Sequence, residues 1–144
     1  MIKTMIREFA DYLNAIDEPE EPDQAAIDRI AGAAFGKNPL CRILIAEGGG
    51  STAGYLVYYI GLDMDLVLPA AYVVDLFVRK AHRKCGAGRA LMEKVAAIVR
   101  RRGGRTLFWT VWRKNPKALA FYRHLGARPW DEEILMRWSL AGAE

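Results

Sequence analysis

Apolar residues in the first third of the chain recur at the three- and four-residue spacing of amphipathic helices. This spacing predicts one helix over 2–16 and a second over 23–36, with Asp23 as the N-cap of the second. Between them, the segment 17–23 contains two prolines and five acidic residues, which break the helical pattern. The chain is therefore predicted to open with two helices joined by an acidic loop.

Further along, the pattern changes to short runs rich in β-branched and aromatic residues, which are typical of strands. The predicted strands are 41–47, 52–62, 71–79, 105–112 and 132–140. The segment Gly48-Gly49-Gly50-Ser51 between the first two predicts a hairpin turn. Helical spacing returns over 88–102, which Gly103-Gly104 ends, and over a last helix from Asn115-Pro116 to Gly126.

This order of elements indicates an α+β fold, a mixed α/β arrangement in which helices layer a sheet. At 144 residues the chain has the length of one domain, so we expect a single domain over 1–144. No apolar stretch approaches the ~20 residues that cross a bilayer, and the N-terminal segment, with Glu8 and Asp11, has no signal-peptide core. Cys41 and Cys85 match no metal or redox spacing. We therefore expect a cytoplasmic protein with free thiols, no metal and no membrane partner.

The net charge of +4 is distributed unevenly along the chain. Residues 1–70 contain 5 basic and 11 acidic side chains, whereas residues 71–144 contain 16 basic and 6 acidic ones. The basic half suggests an anionic partner, and the acidic half suggests attraction of a cation. Nucleic acid is one such anion. However, the basic residues surround a glycine turn and lie on helix surfaces without a nucleic-acid-binding motif, so we expect no nucleic-acid partner.

The turn Arg83-Lys84-Cys85-Gly86-Ala87-Gly88-Arg89 lies between a predicted strand and a predicted helix. Its two glycines allow a tight turn and the close approach of a ligand, because they have no Cβ. The N–H groups there lie at a helix N-terminus, where the dipole favours an anion, and three cationic side chains flank them. This combination predicts a pyrophosphate site.

Two common nucleotide motifs do not fit this turn. A P-loop requires Gly-x-x-x-x-Gly-Lys followed by Ser or Thr, and the chain has none. A dinucleotide-binding turn requires Gly-x-Gly-x-x-Gly directly after a strand. Here Leu91 occupies the third glycine position, and the charged connector 80–85 separates the strand from the glycines. The predicted pyrophosphate therefore belongs to another kind of ligand.

The motif Arg83-x-x-Gly86-x-Gly88, preceded by Asp75-Leu76-Phe77-Val78, resembles the coenzyme A motif of the GNAT N-acetyltransferase superfamily. Asn115-Pro116 followed by Ala-Phe-Tyr-Arg-His-Leu-Gly-Ala at 120–127 resembles the second signature of that family. Upstream segments at 6–12 and 35–39 are similar to its diamine (spermidine/thialysine) acetyltransferase branch. The resemblance covers nearly the whole chain. It implies a mostly antiparallel twisted sheet flanked by helices, and acetyl transfer from acetyl-CoA to a primary amine.

The resemblance also implies a set of site residues. In this fold the strand that carries Leu76, Phe77 and Val78 splays from 105–112, and free backbone groups in the gap bind the pantetheine arm and polarise the thioester carbonyl. Tyr122 matches the catalytic tyrosine that protonates the departing thiolate. Asn115 either contacts the cofactor or only caps its helix. The implied cofactor-binding residues are Leu76, Phe77, Val78, Arg83, Lys84, Cys85, Gly86, Ala87, Gly88, Arg89 and Asn115.

The chain departs from the family at the expected base. Diamine acetyltransferases usually have Glu-Asp where this chain has Val74-Asp75, so the role of the glutamate is not carried over. Alternation along a strand places Asp75 on the face opposite Val74, so Asp75 is no simple substitute. Asp63, Asp65 or a chain of waters are the alternatives.

A second departure is the start of the fold, because relatives begin with a strand and this chain begins in the first helix. Either the start lies upstream or the sheet is one strand short, which would expose an edge to a second subunit. Relatives in this branch are commonly homodimers, and we expect a homodimer here.

These observations predict an acetyl-CoA-dependent N-acetyltransferase that acts on a small cationic amine, a diamine or an amino-acid analogue. The alternatives are a protein N-terminal or lysine acetyltransferase and a catalytically silent acyl-CoA-binding module, the latter suggested by Val74 and the missing strand. A basic nucleic-acid-binding domain is the remaining alternative.

Overall fold

The computed structural model describes residues 1–14 and 24–140. Its helices are α1 Ile2–Asn14, α2 Gln24–Phe35, α3 Ala87–Arg101 and α4 Pro116–His124. Its strands are β1 Arg42–Gly48, β2 Ser51–Asp63, β3 Leu68–Val78 and β4 Thr106–Phe108, and a 3₁₀ turn occupies Lys80–His82. The predicted acidic loop 17–23, with its N-cap Asp23, lies outside the described residues. No helix in the two described ranges has the length and apolar character needed to cross a bilayer.

The strands form one sheet in the order β1-β2-β3-β4. The β1–β2 and β2–β3 pairs are antiparallel, and the β3–β4 pair is parallel. The predicted hairpin turn between β1 and β2 is made by Gly49 and Gly50, whose φ values of 60° and 77° fall in the left-handed region that favours glycine. This architecture confirms the predicted fold class, a mostly antiparallel sheet flanked by helices.

Helices cover the two faces of the sheet unequally. The back face, which carries Leu56, Tyr58 and Val73, packs against the buried apolar stripe of α3. The front face, which carries Tyr55, Val57 and Phe77, packs against α1 and α2. The cover by α1 and α2 reaches the half of the front face near the end of β3, and the half near the β2–β3 connection stays open, with Tyr59 exposed there.

A bulge interrupts the middle of β3. Val57 of β2 pairs with Asp75, but the next β2 residue, Tyr58, pairs with Val73, so Val74 is the extra residue. An extra residue changes which side chains share a face beyond it, because the alternation has a period of two. Asp75 therefore lies on the front face with Val57, whereas uninterrupted alternation would have placed it on the back face with Val73.

Two of the predicted strands differ from the structure. The strand predicted at 132–140 is wrong, since residues 131–140 form no strand and their side chains are exposed, Trp138 by 89%. Alternating apolar residues favour a strand, but a strand also needs a neighbouring edge to pair with, and no strand of the described ranges pairs with this segment. The strand predicted at 105–112 is reduced to β4, because 109–112 diverges from β3. Within the described ranges, no strand precedes α1.

Candidate active site

A gap opens between β3 and the chain that follows β4. The parallel ladder joins only Ala70–Tyr72 to Thr106–Phe108, after which residues 109–112 form no strand while β3 continues to Val78. Because β2 pairs with one edge of β3, alternate backbone groups on the other edge face this gap. The predicted residues Leu76, Phe77 and Val78 lie in this part of β3, where backbone donors and acceptors are accessible to an extended ligand.

The predicted pyrophosphate turn follows β3 and leads into α3. Its N-cap residue is Gly86, whose φ of 84° is left-handed and which supplies no side-chain cap. The first intrahelical hydrogen bond runs from the Ala90 N–H to the Gly86 carbonyl oxygen, at 2.9 Å. The N–H groups of Ala87, Gly88 and Arg89 therefore project from the helix end. These donors, together with the helix dipole, suit an anion.

Two backbone features of the turn depend on residue type. A Cβ on Gly88 would lie 3.1 Å from Cζ of Phe121 and 3.6 Å from Cγ2 of Val78, so a glycine here lets α3 begin close to both α4 and β3. Lys84 has a φ of 62°, a left-handed conformation that costs a non-glycine residue about 1 kcal/mol. Backbone strain of this kind is concentrated at ligand sites.

Side-chain contacts tie the turn to its neighbours. Arg83 Nε donates to the Val78 carbonyl oxygen at 2.9 Å, which holds the turn against the end of β3. Arg89 donates at 3.4 Å to Glu93 and at 3.4 Å to the His124 carbonyl oxygen, which links α3 to the end of α4. Cys85 is an exposed free thiol. The structure thus groups the predicted residues 83–89 at the end of the gap.

The fourth helix places the predicted Asn115 and Tyr122 behind the gap. Asn115 is buried, and its Oδ1 accepts a hydrogen bond from the Ala118 N–H at 3.1 Å, so it caps α4. The Tyr122 ring packs against the back-face core, 5.0 Å between centroids from Trp109, the first residue after β4. Burial, followed by the charge of Asp75, raises the pKa of the Tyr122 phenol to about 12.

Asp75 is the functional candidate that sequence reasoning set aside. The bulge turns it to the front face opposite Val57, whereas Tyr122 lies on the back. Burial raises the pKa of the Asp75 carboxyl from 3.8 to about 6. Burial and then the charge of Asp75 raise the pKa of the Tyr55 hydroxyl and of the Cys41 thiol, so both groups lie within its electrostatic reach. One feature of the sequence does point to Asp75, because it is an acidic residue inside an otherwise apolar predicted strand.

Asp63 and Asp65, the alternative bases, lie at the opposite end of the sheet, where β2 turns into β3. Asp63 is buried and accepts hydrogen bonds from Thr106 Oγ1 at 2.6 Å, from the Asp65 N–H at 3.1 Å and from the Leu66 N–H at 3.2 Å. The Thr106 hydroxyl in particular stabilises the ionised form and lowers the pKa of Asp63. This carboxylate holds β4 to β2, and its lowered pKa makes it a poor base.

A strand pair that opens into a gap, with a helix N-terminus at the end of that gap, is the arrangement that the sequence predicts for an N-acetyltransferase. The chain belongs to the Acetyltransferase (GNAT) family, whose model matches residues 3–127. That range includes the sheet, the turn at 83–89 and α4. The family resemblance inferred from the sequence is therefore confirmed.

Comparison with individual proteins agrees with this assignment. The chain is 30% identical to thialysine N-epsilon-acetyltransferase of Sus scrofa over 139 residues, which cover 91% of this chain and 79% of that protein. It is 29% identical over 85 residues to L-ornithine N5-acetyltransferase of Arabidopsis thaliana, covering 59% and 37% of the two chains. An integron cassette protein of V. cholerae has the same fold, with a TM-score of 0.80 at 24% identity over 98% of this chain and 86% of its own.

Proposed function

We propose that this protein transfers the acetyl group of acetyl-CoA directly to a primary amine of a small cationic acceptor, a diamine or an amino-acid analogue. The observation that carries the proposal is the position of two ionisable groups on the two faces of the sheet beside the gap, Asp75 in front and Tyr122 behind. Direct transfer needs a base for the attacking ammonium and an acid for the departing thiolate. A base and an acid on opposite sides of the reacting carbonyl meet that need.

The residues around the gap fit the donor. The N–H groups at the start of α3 and the side chains of Arg83, Lys84 and Arg89 would hold the pyrophosphate, with Cys85 as part of the turn. The backbone of Leu76, Phe77 and Val78 would hold the pantetheine arm, and its N–H groups would polarise the thioester carbonyl. Asn115, which caps α4 through Oδ1, would position the start of that helix beside the donor. Acetyl-CoA supplies the activated acyl group when bound.

Asp75 is the proposed general base. A primary ammonium, with a pKa of ~10, must lose a proton before its nitrogen can attack. A carboxyl with a pKa of about 6 is ionised at neutral pH and is a stronger base than an ordinary aspartate. Asp75 would therefore perform, from the front face, the task that a glutamate performs at the position of Val74 in the diamine branch.

Tyr122 is the proposed general acid. Its pKa of about 12 keeps the phenol protonated at neutral pH. Its ring packs between Trp109 and Phe121, with centroid distances of 5.0 and 5.1 Å, which limits access of water from the back face. The phenol would donate a hydrogen bond, and then its proton, to the sulfur as negative charge develops there.

The acidic charge of the first half of the chain and the names of two relatives support a cationic acceptor. Residues 1–70, which include both helices of the front face, contain 5 basic and 11 acidic side chains, a balance that favours a cationic acceptor. Two relatives are named for the acetylation of thialysine and of L-ornithine. We extend that kind of acceptor to this chain.

Calorimetry with acetyl-CoA and a panel of amines scored by thiol release test the proposal together. The panel would contain diamines, basic amino acids, uncharged-tail monoamines and lysine-containing peptides. We expect acetyl-CoA to bind and small cationic amines to release thiol fastest. Binding without release by any amine would instead support a silent acyl-CoA-binding module, and a preference for peptides would support a protein acetyltransferase. Failure of acetyl-CoA to bind would contradict the proposal at its first step.

We also propose that the protein is a homodimer. Within the described chain, β1 pairs with β2 only, so its outer edge is open. Apolar side chains between residues 134 and 140 lie in solvent, and Met136 and Trp138 are 83% and 89% exposed. Open edges and apolar segments of this kind favour association. Light scattering during size-exclusion chromatography should give twice the chain mass of 16.2 kDa, and a monomer at micromolar concentration would contradict the proposal.

The cytoplasmic location stays a prediction.

A further inference from the structure

Tyr55 of β2 carries a buried hydroxyl that the proposed mechanism does not use. Its side chain is completely buried in the front-face core, whose other buried members are all apolar. Among the residues that the structure describes, the hydroxyl has no hydrogen-bond partner. A phenylalanine would fill the same space without the cost of taking a hydroxyl out of water. Because native proteins rarely leave such a group unsatisfied, the hydroxyl indicates a polar contact with a role.

Two other aromatic rings hold the ring of Tyr55 in place. Phe9 of α1 meets it edge-on, with centroids 6.3 Å apart and planes inclined by 82°. Phe77 of β3 packs on it with centroids 6.0 Å apart. In a close-packed core a ring with such neighbours keeps one position. The hydroxyl oxygen is therefore fixed, and only its proton can rotate toward an acceptor.

The register of β2 and β3 places Tyr55 beside the proposed base. Tyr55 pairs with Phe77, and Val57 pairs with Asp75, so Tyr55 and Asp75 are diagonal neighbours on the front face. Diagonal neighbours have Cα atoms about 7–8 Å apart, a separation that an aromatic side chain can bridge. After burial, the charge of Asp75 raises the pKa of the Tyr55 hydroxyl further, which agrees with this proximity.

Carboxylates on the two helices that cover this half of the front face have other partners. Glu8 Oε2 of α1 lies 2.8 Å from Arg79 Nε, and Asp28 Oδ1 of α2 lies 2.6 Å from Lys3 Nζ. Both acids are therefore held in ion pairs, and Asp75 is the acceptor that the sheet places beside the Tyr55 hydroxyl.

Other titratable side chains around Asp75 are less suited to bind it. Tyr59 of β2 is exposed, and Tyr122 lies on the back face. Cys41 is close enough for the charge of Asp75 to add to the effect of burial in raising the pKa of its thiol, but a thiol is a weak donor. Tyr55 is thus the buried hydroxyl that shares the front face with Asp75.

We propose that the Tyr55 hydroxyl is a positioning group for Asp75, to which it donates a hydrogen bond through one bridging water. Since the hydroxyl has no direct partner in the described chain, a water must span the separation, with hydrogen bonds of about 2.8 Å on each side. The bridge would hold the carboxylate in one orientation toward the attacking amine and stabilise its ionised form. The consequence for catalysis rests on the proposed function, whereas the bridge itself is a property of the fold.

Tyr55→Phe tests the bridge, because it removes the hydroxyl and keeps the ring. The Asp75 carboxyl is titrated by ¹³C NMR in the full chain, with Asp75→Asn to assign its signal. We expect the midpoint of Asp75 to lie about one pH unit higher in Tyr55→Phe, since the ionised form loses a hydrogen bond. Tyr58→Phe is the matched control, because it removes a buried hydroxyl of the same strand on the back face and should leave the midpoint unchanged.

The pH profile of kcat/KM for the amine should move together with the NMR midpoint. In Tyr55→Phe the rise in kcat/KM should shift upward by about one pH unit, because the base binds its proton more tightly. At pH 8 we expect kcat to fall about tenfold, since the carboxylate is less well oriented, with the KM for acetyl-CoA unchanged. A hydroxyl with only a structural role would change the free energy of unfolding without moving either titration.

An Asp75 midpoint that is the same in Tyr55→Phe and in the natural protein would overturn the assignment. A high-resolution crystal structure should show the bridging water within about 3 Å of both oxygens, and a Tyr55 hydroxyl without a polar neighbour there would also overturn it. If the midpoint shifts but kcat/KM does not depend on Asp75, the proposed function fails and the bridge stands. If Asp75→Asn abolishes activity but Tyr55→Phe moves neither titration, the bridge fails alone.

Discussion

Replacement of Asp75 by asparagine separates its proposed catalytic role from the cost of burying its charge in the fold. Asparagine has nearly the same shape but cannot accept a proton at neutral pH. Loss of a general base typically lowers a rate by about 10²–10⁴-fold. At pH 7.5 we therefore expect Asp75→Asn to lower kcat/KM for the amine by at least about a hundredfold, with little effect on the affinity for acetyl-CoA.

The raised pKa of Asp75 also determines how much its ionisation lowers the free energy of unfolding. The Asp75 carboxyl titrates at about 6 in the folded protein against an ordinary value of 3.8, and this shift of about two units corresponds to roughly 3 kcal/mol. Because the folded-state pKa is the higher one, the folded protein binds the proton more tightly than the unfolded chain. Stability is therefore greatest below the unfolded pKa, falls as pH rises from about 4 to about 6, and stays lower at neutral pH. Asp75→Asn should raise the free energy of unfolding at pH 7.5 by up to about 3 kcal/mol.

Two measurements separate the effect on catalysis from the effect on stability. A profile of kcat/KM between pH 5 and 9 should show a rise through about pH 6 in the natural protein and no such inflection in Asp75→Asn. Urea unfolding at pH 4 and pH 7.5 should show the gain in stability only at the higher pH. Asp63→Asn is the matched control, because the Thr106 hydrogen bond lowers the pKa of Asp63. That change should reduce stability at neutral pH and leave the inflection in place.

The proposed catalytic role of Asp75 and the proposed cost of burying its charge would be refuted by different results. If Asp75→Asn retains kcat/KM within about threefold of the natural protein and keeps the inflection, Asp75 is not the base. If the variant is less stable than the natural protein at pH 7.5, burial does not impose the cost that the raised pKa implies. Either result can occur without the other.

Three further substitutions address the donor side. Tyr122→Phe should lower kcat by about 10²-fold or more with the KM for acetyl-CoA preserved, and an unchanged rate across pH 6–9 would remove Tyr122 from the mechanism. Gly88→Ala places a Cβ 3.1 Å from Phe121 Cζ, so it should shift the start of α3 and raise the KM for acetyl-CoA severalfold; Ala87→Gly, at the neighbouring position, is the control. Asn115→Ala removes the cap on the Ala118 N–H and should lower the free energy of unfolding by about 1 kcal/mol, measured by urea unfolding.

Much of the fold was predictable because it depends on local patterns. The helical spacing of Leu91, Met92, Val95 and Val99 marks the face of α3 that is buried on the sheet. The glycines of the β1–β2 connection and the Asn-Pro start of α4 have conformations that their covalent structure favours, so both predictions are confirmed. In the candidate site, the turn at 83–89 was predictable for the same reason.

The parts that were not predictable depend on pairing between distant segments. The bulge at Val74 depends on the register of β3 against β2, and the local sequence Val73-Val74-Asp75 does not predict it. A prediction that omits the bulge places Asp75 on the back face of the sheet, whereas the structure places it on the front face. The unpaired segment 132–140 shows the same limit from the other side, because its alternation is clear and its partner edge is missing.

The open half of the front face has a consequence for how this enzyme can change over evolutionary time. The proposed donor site lies between Leu76 and Tyr122, whereas two short exposed stretches, around Asp65 and around Glu133, border the open end of the front face. Substitutions in those stretches disturb neither core, since neither stretch belongs to one. If the proposed function holds, a duplicated copy could acquire a new acceptor through a few substitutions in those stretches while its use of the donor is conserved. Under the proposed function, acceptor choice could therefore change in this chain without a change in acetyl transfer.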